Sequence, residues 1–202
     1  MRILLLLSLA SWSLSAQPVS IGVKIGSSFT DVFETAPGNV LLPFYIPNSH
    51  RFLVGATFQA NFPARFSLEV DGIYRRVGFQ QAHVGFFVSL IDSTTTANSW
   101  EIPVLGKYAL LPGPIRPFVD AGANFRSITG SKKSGVPTVL ELTRDLTAGF
   151  TFGGGVEIKM GRIRVTPELR YTHWGSENFR DPVNSLLHTN LNQGDFIMGL
   201  TF

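Results

Sequence analysis

The sequence predicts an all-β protein, an eight-stranded, antiparallel, up-and-down transmembrane β-barrel. Three observations lead there. Apolar residues recur at every second position in eight separate segments, which is the period of a strand and not of a helix. The connections between these segments alternate between short and long. The face opposite the apolar one carries small residues and charges of both signs in equal number.

The chain opens with a segment of a different kind. Met1-Arg2 supplies a positive start, Ile3 to Leu14 is a short apolar run, and Ser15-Ala16 precedes Gln17-Pro18. This is the layout of a secretory signal peptide, assigned to residues 1–16 with cleavage after Ala16 or, alternatively, Ser15. The run is shorter than the ~20 residues that a membrane-spanning helix needs. No later segment offers such a stretch, so residues 17–202 are expected to form the barrel domain.

The strand period is clearest between Leu146 and Met160. Leu146, Ala148, Phe150, Phe152, Gly154, Val156, Ile158 and Met160 share one face, and Thr147, Thr151, Glu157 and Lys159 lie on the other. A helix would scatter these residues around its axis and carry several weakening glycines. The same alternation marks Val19–Thr30, Arg51–Phe62, Phe66–Phe79, Trp100–Leu110, Arg116–Arg126, Ile163–Trp174 and Asp195–Phe202. Pro63-Ala64-Arg65, Leu111 to Ile115 and Gly161-Arg162 are the short connections. Residues 31–50, 80–98, 127–145 and 175–194 are the long ones, with Thr94 to Ser99 a candidate upward extension of its strand. Short turns at one end and long loops at the other are characteristic of barrels that cross a membrane.

Alternation alone does not say which face is outside, because a soluble barrel turns the same apolar face inward around a ligand. The charges decide. The polar face carries Lys24, Arg75, Lys107, Arg126, Lys159, Arg164 and Arg170 against Glu69, Asp71, Glu101, Asp120, Glu157, Glu168 and Asp195. Such a balance suits mutual pairing in a closed interior, where an unpaired charge is costly. Aromatic residues near the ends of the apolar face (Phe62, Phe66, Trp100, Tyr108, Tyr171 and Phe202) fit the two membrane interfaces. Only a closed barrel satisfies every strand N–H and C=O in lipid.

Four stretches then carry a resemblance: Trp-Glu-Ile-Pro-Val-Leu-Gly-Lys-Tyr at 100–108, Arg-Pro-Phe-Val-Asp-Ala-Gly at 116–122, Gly-Gly-Gly-Val-Glu-Ile-Lys at 153–159 with Thr-Pro-Glu-Leu-Arg-Tyr at 166–171, and Phe-Ile-Met-Gly-Leu-Thr-Phe at 196–202. Together they resemble the small, porin-like, eight-stranded outer-membrane β-barrel family of Gram-negative bacteria. The resemblance covers essentially the whole chain after residue 16. It implies integral insertion in the cell outer membrane, contact with lipid and lipopolysaccharide, and recognition of the strand ending at Phe202 by the barrel-assembly machinery. It leaves activity open, because the family is defined by its fold.

Composition narrows the function further. The absence of cysteine excludes disulfides, thiolate metal sites and a cysteine nucleophile. The net charge of +3 comes from scattered basic residues, not the stripe that nucleic-acid binding requires. His173, Ser176 and Glu177 lie where a strand meets its long loop, and a Ser–His–carboxylate set can cleave esters. His173 and Ser176 are three apart, however, and so fall on opposite faces. His50, His83, His173 and His188 all map to the long-loop end, from four different connections and without metal-ligand spacing. The loop tips Leu41–Ile46 and Phe86–Val88 are apolar, and Lys132-Lys133 can meet lipopolysaccharide phosphates. The resulting expectation is a structural or interaction scaffold presenting surface loops, with no catalytic, cofactor or metal residues and an unassigned surface ligand. A lipid A-modifying hydrolase at the outer rim and a narrow porin-like channel are the alternatives.

Overall fold

A computed structural model describes residues 19–35, 44–47, 51–84, 89–135, 146–176 and 187–202. The signal segment, residues 41–43 of the first apolar tip, the second tip at 86–88, His50 and Glu177 lie outside the described residues. Only the backbone is described for 33–35, 44–47, 79–84, 89–95, 130–135 and 187–189.

Eight long strands form the body: β1 (Val19–Ser28), β4 (Phe52–Asn61), β5 (Phe66–Val84), β6 (Ser89–Ala109), β7 (Ile115–Gly135), β8 (Thr147–Met160), β9 (Ile163–Trp174) and β11 (Asn192–Thr201). Three short ones, β2 (Phe33–Thr35), β3 (Phe44–Pro47) and β10 (Leu187–Thr189), lie in the long connections. Each long strand pairs antiparallel with the next, and β1 pairs with β11 from Gly22↔Thr201 to Ser28↔Asp195. That last pairing closes the ring and leaves no free edge in the barrel body.

The eight segments read from the sequence are the eight barrel strands, but three extend five residues or more beyond their alternation. β5 runs to Val84, β6 begins at Ser89 and β7 continues to Gly135. Residues 80–84, 89–98 and 127–135 are therefore strand, and the upward extension from Thr94 to Ser99 is part of β6. The β7–β8 ladder stops at Arg126↔Thr147, whereas β6 and β7 stay paired to Ser93↔Gly135. At ~3.3 Å per residue, this adds roughly 30 Å of sheet beyond the level where β8 leaves. β3 joins the same wall by pairing with β5, and β2 pairs with β10 above the β1–β11 seam.

The opposite end is tight. The β8–β9 turn uses Gly161 at φ 66°, a left-handed conformation that costs glycine nothing. Ala64 and Arg65 adopt similar positive φ values between β4 and β5 without that freedom.

The faces follow the parity read from the sequence. Ile21 is 61% exposed, Phe150 56% and Leu169 58%, while Lys24 is 2% exposed and Arg126 0%. All seven carboxylates assigned to the interior are buried, as are Lys24, Arg75, Lys107, Arg126 and Arg170. Lys159 and Arg164 depart from that assignment, being exposed and partly exposed at the short-turn mouth where the lumen opens. The interior is also more apolar than expected: Leu53, Ile73 and Ile197 form a buried cluster, and Leu105, Phe118 and Ile128 point inward as well.

Candidate functional site: a charge-filled lumen and its outer rim

Within the apolar belt the lumen is occupied by two linked groups of charges. In the lower group, Glu69 accepts hydrogen bonds from Lys24 and Lys107 and from Arg170 Nη2 at 3.1 Å. Lys24 Nζ also donates to Asp71 Oδ2 at 3.0 Å and Glu168 Oε2 at 3.4 Å. Arg170 donates to Asp71 at 2.9 Å and to Glu168 at 2.5 Å. These residues come from β1, β5, β6 and β9, so the network ties opposite walls together. Asp120 faces the same level from β7, opposite Lys107 in register. Gly153 on β8 makes room for it, since a Cβ there would lie 2.7 Å from Asp120 Oδ1.

The upper group centres on Arg75. Its guanidinium lies 3.0 Å from Glu101 Oε1 and donates to Asp195 Oδ2 at 3.0 Å and to Ser28 Oγ at 2.5 Å. Gln193 Nε2 donates to Asp195 Oδ2 at 2.8 Å, and Trp174 Nε1 donates to Gln193 Oε1 at 3.1 Å. The Arg126 guanidinium stacks 4.0 Å from the centroid of the Trp174 ring. Trp174 therefore points into the lumen, although it neighbours the outward-facing His173. It is fully buried and caps the lumen from within. Parity held the signal: Trp174 is in step with the inward Arg170 and Thr172.

The outer rim shows what becomes of the proposed nucleophile set. His173 faces outward, with Nδ1 3.0 Å from Asn192 Oδ1, and Tyr171 Oη donates to the same oxygen at 2.5 Å. Its ring is oriented by an amide, not by a carboxylate. Ser176 is exposed, and no hydrogen bond joins it to His173 among the described residues. The His83 and His188 side chains and all of His50 lie outside the description, and no group of three or more metal-ligating side chains occurs among the described residues. The Lys132-Lys133 backbone belongs to the projecting part of β7, paired with Thr96 and Thr95.

The contrast between faces decides the environment. A continuous belt of Val19, Ile21, Val23, Ile25, Phe58, Val119, Phe152 and Leu169 faces outward while ion pairs fill the inside. In water this would be an apolar patch far larger than monomeric proteins expose; in a bilayer it is the lipid contact surface. Tyr74–Trp100, Phe152–Tyr171 and Phe62–Phe66 ring pairs, at 5.2, 5.0 and 6.0 Å, add to its aromatic content. The fold is that of a small outer-membrane β-barrel. Solved structures agree. The outer membrane protein OprG from Pseudomonas aeruginosa superposes with a TM-score of 0.59 at 9% identity, covering 91% of this chain and 92% of that one. Neisserial surface protein A gives 0.51 at 12% identity, covering 91% and 94%. Outer membrane protein AlkL, solved in lipid bilayers, gives 0.51 at 12% identity, covering 91% and 88%. No family model and no curated protein sequence matches the chain.

Proposed function

We propose that this outer-membrane barrel is a non-catalytic scaffold that displays its long-connection end at the cell surface. The observation that carries the reading is the plug: Arg75, Glu101 and Asp195 stacked above Lys24, Glu69, Asp71, Glu168 and Arg170 fill the lumen at the depth of the apolar belt. Small eight-stranded barrels have interiors that side chains fill, and here the filling is cross-linked by ion pairs. Above the plug, β3, β5, β6 and β7 continue as a wall, whose outer backbone is the part of the described molecule best placed to meet a surface ligand. Along the outside of the plug and down to the short-turn end, Phe196, Met198, Leu200 and Phe202 form the alternating apolar end proposed to engage the barrel-assembly machinery, after export directed by residues 1–16.

Planar-bilayer recordings test this reading. The folded barrel should show no stable unitary conductance, and ohmic openings that scale with protein added would replace the scaffold with a channel.

A further inference from the structure

The short-turn mouth holds a cavity that neither the plug nor the outer rim uses. It has a volume of about 320 Å³ and is lined by the lower ends of β4 to β9. Arg65, Arg116, Lys159 and Arg164 stand around it against one carboxylate, Glu157. Lys107 enters from above, but its ammonium is already held by Glu69 and lies 4.3 Å from the Phe118 ring centroid.

The remaining charges do not balance. Arg116 donates to Glu157, and Arg164 Nη1 lies 3.7 Å from the same oxygen, so two guanidinium groups share one negative charge. The other Arg164 terminal nitrogen donates to Ser20 Oγ at 2.5 Å, a neutral partner. Arg116 Nε is buried and has no hydrogen-bond partner among the described residues. Lys159 is exposed at the rim, and Arg65 spends its donors on Leu110 O at 2.8 Å and Tyr108 Oη at 3.2 Å, both neutral. Positive charge is thus concentrated in a concave space, and aromatic walls from Phe62, Phe66 and Phe118 strengthen its field on an incoming anion.

We propose that this vestibule binds a phosphate-bearing anion presented from the periplasmic side, the side that short turns face in such barrels. Planar guanidinium forks match phosphate oxygens in pairs, and a dianion balances the excess charge better than a single carboxylate does. The volume is at the lower end of ligand pockets, which run from roughly 300 to 1,000 Å³, and suits a phosphate group with a small substituent. Two sources share this chemistry: a phospholipid headgroup of the adjoining leaflet and a soluble phosphate ester.

The test is calorimetric titration of the folded barrel in octyl glucoside, a detergent without phosphate. Inorganic phosphate should bind saturably, and the Arg116→Gln/Lys159→Gln variant should bind about tenfold more weakly. Lys159→Gln alone, at an exposed position, should weaken binding in the same direction even if the double variant folds poorly. Arg51→Gln/Arg76→Gln removes as much charge from outside the vestibule and should change affinity by less than about twofold, because screening limits distant charges. Dihexanoyl phosphatidylglycerol binding more tightly than phosphate, with the same loss in the variants, assigns the site to a lipid headgroup. Phosphate binding more tightly assigns it to a soluble ester. Absence of saturable binding by either, an equal loss in the Arg51/Arg76 control, or acetate binding as tightly as phosphate overturns the proposal.

Discussion

Neutralising Glu69 measures how much the buried network holds the barrel together. Its carboxylate serves three cations, but these differ in what they keep when it is lost. Lys24 retains Asp71 at 3.0 Å and Glu168 at 3.4 Å, and Arg170 retains Asp71 at 2.9 Å and Glu168 at 2.5 Å. Lys107 loses its only close carboxylate contact among the described residues and keeps the Phe118 ring at 4.3 Å. Glu69→Gln therefore strands mainly one buried ammonium, and breaking a buried pair from one side costs ~3–5 kcal/mol. Removing the stranded charge as well, in Glu69→Gln/Lys107→Met, should recover about half or more, since buried pairs are often replaced by apolar residues at little cost. The assay is urea-dependent folding into lipid vesicles, followed by gel mobility and fluorescence. A loss below ~1 kcal/mol for the single variant, the range of exposed ion pairs, would show that these charges are solvated and refute the reasoning.

Four of the other expectations concern the barrel and its rim. The protein should migrate faster on a gel unboiled than boiled, and identical migration would deny a closed barrel. Phe150→Arg should destabilise the vesicle-folded protein by up to ~2–4 kcal/mol, less if the site lies near the interface. The adjacent Thr151→Ser, which keeps the hydroxyl bonded to Thr172 at 2.7 Å, should cost about one methyl, ~0.8 kcal/mol; the reverse order would mean that the faces are exchanged. Ser176→Ala should leave the acyl content of lipid A unchanged in mass spectra, whereas a change that tracks both Ser176 and His173 would revive the hydrolase alternative.

The sequence made the barrel legible wherever lipid imposes alternation. Ile21, Val23 and Ile25 have hydrocarbon on one side and Lys24 has carboxylates on the other, so parity alone separates them. Beyond the belt that constraint ends. The stretch Ser93–Ser99 of β6 has water as its alternative neighbour, so its composition marks Thr94 to Ser99 only as a candidate extension, and it is held as strand by pairing with β5 and β7. The interior was legible in its charges but not in its apolar members. Leu53, Ile73 and Ile197 fill space between ion pairs on the polar face, and a reading that equated inward with polar passed over them. Partner choice was also hidden, because it depends on register: nothing local links Lys24 to Glu69 or Arg75 to Asp195 until β1, β5 and β11 are aligned around the ring. The cationic mouth was the least legible feature, since Arg65, Arg116, Lys159 and Arg164 come from separate strand ends and turns.

The two tryptophans of residues 17–202 offer the most direct test of an apolar outside and a charged, filled inside. Trp100 is 50% exposed on the lipid face, whereas Trp174 is 0% exposed within the lumen beneath Arg126. Barrels carrying one tryptophan each, made by Trp174→Phe and Trp100→Phe, would be folded into vesicles with brominated or unbrominated acyl chains and their fluorescence ratios compared. Bromine should quench Trp100 strongly and leave Trp174 nearly unaffected. Stronger quenching of Trp174 than of Trp100 would contradict the inside-out arrangement on which the account rests.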